Sequence, residues 1–331
     1  MQPLNPTFTI VIPTYNRVER LQRVISALEQ QSYPLDAFEV VVVSDGSTDG
    51  TDAYLSELRS KVRVRWFTQP NRGPAAARNL AVEKADGEII LFIDDDVVPE
   101  PQTLQEHARC HAQANGDVVV LGPLLNPAVF KMSPWVRWEQ ETLMKQYRAL
   151  ERGDWPASAR QFYTGNASLK RSHILSVGGF DESFRRAEDV ELAYRLADRG
   201  LSFLFNMQAV GRHFAERSFR AWLDAAYTYG RNDVIFARDR NQKWLLPSVR
   251  REFRERNVLV QLLIRLCGGR PRTSRFASRA LKFTADTATI FGAGYIEQRV
   301  YSGLFNLNYY SGFILELKDV NYLFSDPDHP T

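Results

Sequence analysis

Three consecutive aspartates, Asp94, Asp95 and Asp96, follow directly on the apolar run "IILFI". Carboxylates ~4 Å apart repel by about 1 kcal/mol in water and several-fold more near a protein surface. Such a cluster needs a compensating partner, and a cation is the obvious candidate. If the strand continues through the cluster, alternate side chains share a face. Asp94 and Asp96 then point the same way, about 7 Å apart, with Asp95 opposite. That spacing suits one carboxylate on a divalent ion and another on a neighbouring ligand group. Oxygen donors favour Mg²⁺ or Mn²⁺ over zinc, and such ions bridge to substrate phosphates. A second polar cluster, "SDGSTDG" at 44–50, matches the first half of a calcium loop at Asp45, Ser47, Asp49 and Gly50. Its twelfth position is Ser56 rather than Glu, and a buried strand precedes it where a helix belongs, so calcium is excluded. Asp45 can instead accept an N–H of a nucleobase.

These clusters sit where regular elements end. "FTIVIPT", "FEVVVVSD", "VRVRWFTQ" and "EIILFI" read as strands, and the segments between them carry apolar residues at helical spacing, as in Leu21, Val24, Ile25 and Leu28. Regular strand–helix alternation predicts a doubly wound parallel sheet, whose ligands gather at the carboxyl ends of the strands. Pro13-Thr14-Tyr15, Ser44-Asp45-Gly46 and the three aspartates should therefore meet along one rim. Beyond Val98 the alternation weakens. "LSFLFNMQAVGRHF" reads as a last strand ending at His213, and "AEDVELAYRLADRG" as a helix with Val190, Ala193, Tyr194 and Ala197 inward. From Ala215 onward the pattern is helical, with Phe219, Trp222, Leu223, Ala226 and Tyr227 on one stripe. His107 and His111 read as residues of a helix surface.

The chain has 331 residues, 44% hydrophobic and 24% charged, the balance of an ordinary globular protein. Its two cysteines, Cys110 and Cys267, stand far apart and outside any CxxC spacing, which argues against zinc and against a disulfide framework. No signal segment is recognised and no apolar run reaches the ~20 residues of a membrane span. These features predict a cytoplasmic protein, peripheral at most to the inner face of a membrane. The net charge of +3 is unevenly placed: from Arg238 to Lys282 there are thirteen Lys or Arg against three acids. A solvated helical face, an anionic membrane surface and a phosphorylated acceptor all fit that excess. Nucleic acid does not, because few aromatics interleave and no reader motif is present.

Five stretches between residues 7 and 214 carry a more specific signal: "VIPTYNR", "VVVSDGSTDG", "NRGPAAARNLAVEKADGEIILFIDDDVVPEP", "GNASLKRSHILSVGGFDESF" and "AEDVELAYRLADRG". In order and interval the chain resembles family 2 of the inverting glycosyltransferases. The resemblance implies a GT-A fold, that is, a Rossmann-like, doubly wound, mostly parallel α/β sheet over residues 1–214, followed by a mainly helical region over 215–331. It implies transfer of a sugar, most simply from a UDP-sugar, to a saccharide or lipid-linked acceptor in cell-surface polysaccharide or glycolipid synthesis. By position, Pro13, Thr14 and Tyr15 line the base, Asp45 accepts from it, and Arg78 faces the base or the diphosphate. Asp96 holds Mn²⁺ or Mg²⁺ on the diphosphate, with Asp94 and Asp95 near the ribose and the metal's waters, and His213 is a further metal ligand. Glu188 and Asp189 match the acidic pair whose Asp is the catalytic base.

Two departures stand out. Many relatives have two aspartates where this chain has Ser44-Asp45, so one carboxylate is missing. The Gln-x-x-Arg-Trp signature of processive synthases is absent, since in "RSFRAW" the tryptophan comes one place late; this predicts addition of a single sugar. The chemistry also follows from the residues alone. Charge developing on a diphosphate leaving group is offset by a cation at Asp96. The attacking hydroxyl loses its proton to a carboxylate, and Asp189 at the start of a helix is expected to be held ionised there. Two rivals remain. A phosphohydrolase of the haloacid dehalogenase type also uses Asp-x-Asp after an apolar strand, though normally the first strand of its fold, and a non-catalytic sugar-nucleotide binding module would need no base. Acceptor recognition is expected from residues 130–163 and the C-terminal helices.

Overall fold

The structure is a computed structural model that describes residues 7–114, 117–184 and 186–325. Three βα units open the chain: β1 (Phe8–Thr14) with α1 (Val18–Leu28), β2 (Phe38–Asp45) with α2 (Thr51–Glu57), and β3 (Arg63–Gln69) with α3 (Pro74–Lys84). β4 (Ile89–Ile93), β5 (Val97–Pro99), α4 (Thr103–Gln113), β6 (Val118–Leu121), β7 (Leu124–Leu125), α5 (Pro134–Glu151), β8 (Asn166–Lys170), α6 (Arg171–Ser176), α7 (Glu188–Asp198), β9 (Ser202–Phe205) and β10 (Gly211–His213) follow. The main sheet has the order β3-β2-β1-β4-β8-β6-β9. β1, β2, β3 and β4 run parallel, while β8 is antiparallel to both β4 and β6. Every residue of β2 and β4 is buried, and in β1 only Pro13 is partly exposed. That double burial is why these strands read as unbroken apolar runs.

Four expectations about local structure change. β4 stops at Ile93, and Asp94–Asp96 form a turn closed by Val97 N–H donating to the Asp94 carbonyl at 3.0 Å. Strand alternation therefore does not set the directions of these carboxylates. The stretch ending at His213 is two strands in different sheets: β9 pairs with β6, whereas β10 joins β5 and β7 in a three-stranded sheet. Asn206 breaks it, its Oδ1 accepting from Gln208 N–H at 3.0 Å in an Asx turn. In α7 the buried face comprises Leu192, Ala193, Tyr194 and Leu196, with Val190 half-buried and Ala197 exposed. His107 and His111 are also not surface residues. His107 is fully buried between Ser168 Oγ at 2.8 Å and Asn166 Oδ1 at 3.0 Å, and His111 reaches the same Ser168 at 2.8 Å. Burial pushes His107 down to about 4 and His111 to about 3, so both are neutral braces between α4 and β8.

The chain divides into two compact units, one of residues 1–131 with 140–215, the other of 132–139 with 216–331. The second unit thus takes the first turns of α5, because Trp135 and Trp138 pack on Phe219 and Trp222 at ring distances of 5.4 and 5.6 Å. It consists otherwise of α8 (Phe219–Asp239), α9 (Leu245–Arg254), α10 (Val258–Cys267), α11 (Pro271–Ile290) and α12 (Gly294–Leu317). Trp222, Ala225 and Ala226 are buried in α8, while Tyr227 lies on its exposed side. α8 and α12 cross in backbone contact at two glycines. A Cβ on Gly230 would stand 1.9 Å from the Tyr309 carbonyl oxygen, and one on Gly312 would stand 2.0 Å from that of Tyr227. Among the described residues no helix is long and apolar enough to cross a membrane, and Cys110 and Cys267 are free thiols.

Candidate active site

Strand order reverses between β1 and β4, so the crevice at their carboxyl ends is the topological switch point of the sheet. The aspartate turn stands there, and each carboxylate has a guanidinium. Asp95 is buried, accepting from Thr14 Oγ1 at 2.8 Å and from Arg17 at 2.8 Å. Asp96 Oδ2 accepts from Arg17 at 3.1 Å and Arg20 at 3.3 Å. Asp94 accepts from Arg78 at 2.7 Å. Burial nonetheless outweighs the arginines: it pushes Asp95 up to about 6 and, with the Asp94 charge, raises Asp96 as well. Arg17 and Arg20 are site residues that sequence reasoning missed. The need for a countercharge was the available signal, and both lie at the start of the helix that follows the "VIPTYNR" strand.

The loops after β1 and β2 lock together beside this turn. Asn16, in a left-handed conformation at φ 54°, accepts from Thr48 N–H at 2.6 Å and donates its own N–H to Ser47 Oγ at 3.1 Å. Asp49 accepts from Val18 N–H at 3.0 Å. Asp45 is buried and heavily engaged: its carboxylate accepts from Gln69 at 2.7 Å, Arg72 N–H at 2.9 Å and Gly73 N–H at 2.8 Å, which fixes the loop into α3. Gly46 at φ +78° lets that loop approach, since a Cβ there would stand 2.9 Å from Asn71 N. Ser44, at the position where relatives carry the first aspartate, is fully buried and its Oγ has no partner among the described residues. Pro13 is half-buried, Thr14 buried and Tyr15 exposed at the strand's end.

Arg78 lies between the two acidic groups of the site. It is buried, and its two terminal nitrogens donate to Asp94 at 2.7 Å and to Glu188 at 2.8 Å, with its guanidinium carbon 5.8 Å from the centre of the Phe180 ring. It braces the two acidic groups. Glu188 is buried under it, while the neighbouring Asp189 accepts from Val190 N–H at 2.8 Å. The helix N-terminus is not the dominant influence on Asp189. Burial first, then the Glu188 charge, push it up to about 7 against the opposing pull of Val190 N–H and Arg78.

A divalent ion can be tested against the donors present. Among the described residues no three His, Cys, Asp or Glu side chains gather closely enough to hold one unaided. Asp96 Oδ1 and His213 Nε2 do face each other at 3.6 Å. Their backbones are fixed by Phe214 N–H donating to the Asp96 carbonyl at 3.0 Å and by antiparallel pairing of His213 with Val97. Two protein donors, with water and phosphate oxygens completing the shell, fit Mg²⁺ or Mn²⁺.

The chain resembles known proteins in sequence and in fold. The chain is 32% identical over 234 residues to validoxylamine A glucosyltransferase of Streptomyces hygroscopicus subsp. jinggangensis, covering 62% of this chain and 55% of that protein. The chain thus spans about half the length of the first such relatives it matches. It is 25% identical over 287 residues to glycosyltransferase AglE of Haloferax volcanii, covering 86% and 88%. Among solved structures, the mannosyltransferase PcManGT from Pyrobaculum calidifontis, in complex with GDP-Man and Mn²⁺, superposes with a TM-score of 0.64 at 20% identity over 95% of this chain and 88% of that one. Residues 1–349 of Staphylococcus aureus TarS with UDP superpose with a TM-score of 0.55 at 18% identity over 94% and 91%. These likenesses establish the GT-A fold. The family model for glycosyl transferase family 2 matches residues 9–176, and the chain belongs to that family.

Proposed function

We propose that this protein moves a single sugar from a nucleoside diphosphate sugar, a UDP-sugar in the first instance, to a hydroxyl of a saccharide or lipid-linked acceptor, with inversion at the anomeric carbon. One observation carries the reading: the site's carboxylates form two sets, the Asp94–Asp96 turn beside His213 and the Glu188-Asp189 pair, and Arg78 ties one to the other. In a single displacement the acceptor oxygen bonds to the anomeric carbon as the bond to the diphosphate breaks. Negative charge moves to the diphosphate, and the acceptor proton leaves on the opposite face of the sugar. Asp189 takes that proton; its raised affinity for protons matches the task. Glu188, held by Arg78, is a positioning residue.

Asp96 and His213 would hold Mn²⁺ or Mg²⁺, which when bound would supply positive charge to the diphosphate. Asp94 and Asp95 order the ribose side of the donor and water near the ion, Asp45 accepts from the base, and Pro13, Thr14 and Tyr15 line it. Arg17 and Arg20 add positive charge at the same turn. Structures of TarS with UDP and with UDP-GlcNAc, and of PcManGT with GDP-Man and Mn²⁺, support the donor class and the use of a divalent ion. In this proposal the reaction belongs to cell-surface polysaccharide or glycolipid synthesis on the cytoplasmic side. A donor panel with Mn²⁺ or Mg²⁺, read by release of nucleoside diphosphate, tests the activity, and NMR of the first-formed anomer tests inversion. No release from any sugar nucleotide, or retention of configuration, would overturn the reading.

A further inference from the structure

The basic region from Arg238 to Lys282 looks in sequence like a charged helical face. The structure adds that it is also apolar on the outside. α10 and α11 turn one side toward α12: Ile264 is buried in α10, and Ala285 and Ala288 are buried in α11. On their outer sides α10 exposes Leu259, Leu262 and Leu266, and α11 exposes Phe276, Phe283 and Ile290. Spacings of three, four and seven residues align each set along its helix. Leu259, Phe276, Phe283 and Ile290 are 73% to 80% exposed, far beyond what scattered surface residues explain.

Charge accompanies the apolar residues. Arg272, Arg275 and Arg279 lie in the same turns of α11 as Phe276 and Phe283 and are all exposed. None of the three is ion-paired among the described residues, whereas the acid of this helix, Asp286, is already paired with Lys282. We infer that α10 and α11 seat the protein on an anionic phospholipid bilayer, their Leu and Phe side chains entering the boundary between headgroups and acyl chains while the arginines meet lipid phosphates. An interfacial helix has this pattern, an apolar stripe flanked by Arg on a helix too short and too polar to span. A second copy of the chain is the weaker occupant. A two-fold contact would bring the α11 arginines of both copies together, with the acid of that helix, Asp286, already engaged by Lys282. The inference stands apart from the glycosyl transfer reading, since it needs neither donor nor acceptor.

Flotation of the full chain with phosphatidylcholine vesicles, with and without phosphatidylglycerol and at low and high salt, tests it. Recovery should require phosphatidylglycerol and weaken with salt. Phe276→Ser and Phe283→Ser should each lower the partition coefficient at least about tenfold. Arg272→Gln, Arg275→Gln and Arg279→Gln should each lower it about fivefold, and only on anionic vesicles. A Phe276→Trp variant, which keeps the face apolar, should be quenched by brominated acyl chains. Equal recovery with and without vesicles would overturn the inference, as would recovery unaffected by the serine variants or an unquenched Trp on bound protein. Sedimentation showing a dimer that Phe276→Ser dissociates would assign the face to a second copy instead.

Discussion

Arg78 donates to Glu188 at 2.8 Å across a sequence separation of 110 residues, and it is the contact that joins the two acidic groups of the site. α3 supplies the arginine and α7 the glutamate, so a helix beside the first half of the sheet holds the N-terminus of a helix from the second. With its other terminal nitrogen on Asp94, the guanidinium fixes the separation between the carboxylates proposed for the leaving group and those proposed for the nucleophile.

Replacing Arg78 by Met keeps much of the volume and removes the charge, leaving Glu188 buried without its countercharge. Loss of one partner of a buried ion pair costs about 3–5 kcal/mol. Asp94 is the more exposed partner, so the lower end is expected here. Arg78→Met should therefore melt well below the parent at pH 8. An unchanged melting temperature would deny the brace its structural role.

Asp189→Asn preserves shape and the acceptance of Val190 N–H but cannot take a proton. General-base catalysis contributes about 10²–10⁴-fold. Transfer should fall by that order while donor affinity by calorimetry holds, the pattern of an interaction made only in the transition state. A selective loss in Glu188→Gln, with Asp189→Asn active, would move the base one residue earlier.

The strands were legible because burial on both faces makes unbroken runs such as Val40–Val43, and the meeting of three polar clusters at one rim follows from parallel topology. The partners inside the site were not. That Arg17 and Arg20 neutralise Asp96 depends on how α1 leaves β1, and that Arg78 reaches Glu188 depends on where α7 docks; neither distance along the chain nor residue type encodes that. His107 was misread for a related reason. A helix can bury a polar side chain when another element offers hydrogen bonds, and Asn166 and Ser168 on β8 do so. At Asp189 burial beside a second carboxylate exceeds the pull of one helix terminus, and neither is written in the local sequence.

Asp96→Asn and His213→Ala each remove one donor from the proposed ion. Titration with Mn²⁺ and nucleoside diphosphate should show loss of the metal-dependent part of binding in both, with the weaker, metal-independent part retained. EDTA should bring the parent to the same level. Metal-dependent affinity that survives Asp96→Asn would place the ion on other residues.

The second unit depends on the close crossing of α8 and α12. A Cβ at Gly230 or Gly312 would overlap a carbonyl oxygen, so the helices must separate. Overpacking of this kind costs about 1–3 kcal/mol. Gly230→Ala and Gly312→Ala should each lower the melting temperature. Gly292→Ala, which meets no neighbour but must hold φ +66°, serves as the control for backbone strain without a clash.

The raised pKa of Asp189 makes one prediction in two measurements. As a base it must be deprotonated, and the groups around it are Glu188 and Asp94, which raise it, and Arg78, which lowers it, with burial the largest influence. Transfer by the free enzyme, followed as kcat/KM, should fall about tenfold per pH unit below about 7 and level off above it. The residual rate of Asp189→Asn should lack that limb. Stability runs the other way. Between about 4, where an unfolded aspartate ionises, and about 7, the folded protein keeps a proton that the unfolded chain has released. The folded state therefore loses ground as pH rises through that window. Asp189→Asn removes the penalty, so it should melt above the parent at pH 8 and level with it near pH 4. A variant that is slower and more stable at pH 8 marks a carboxylate kept in a costly place for its chemistry. Equal melting at pH 8, together with an acid limb unchanged in the variant, would show that the titrating group is another residue.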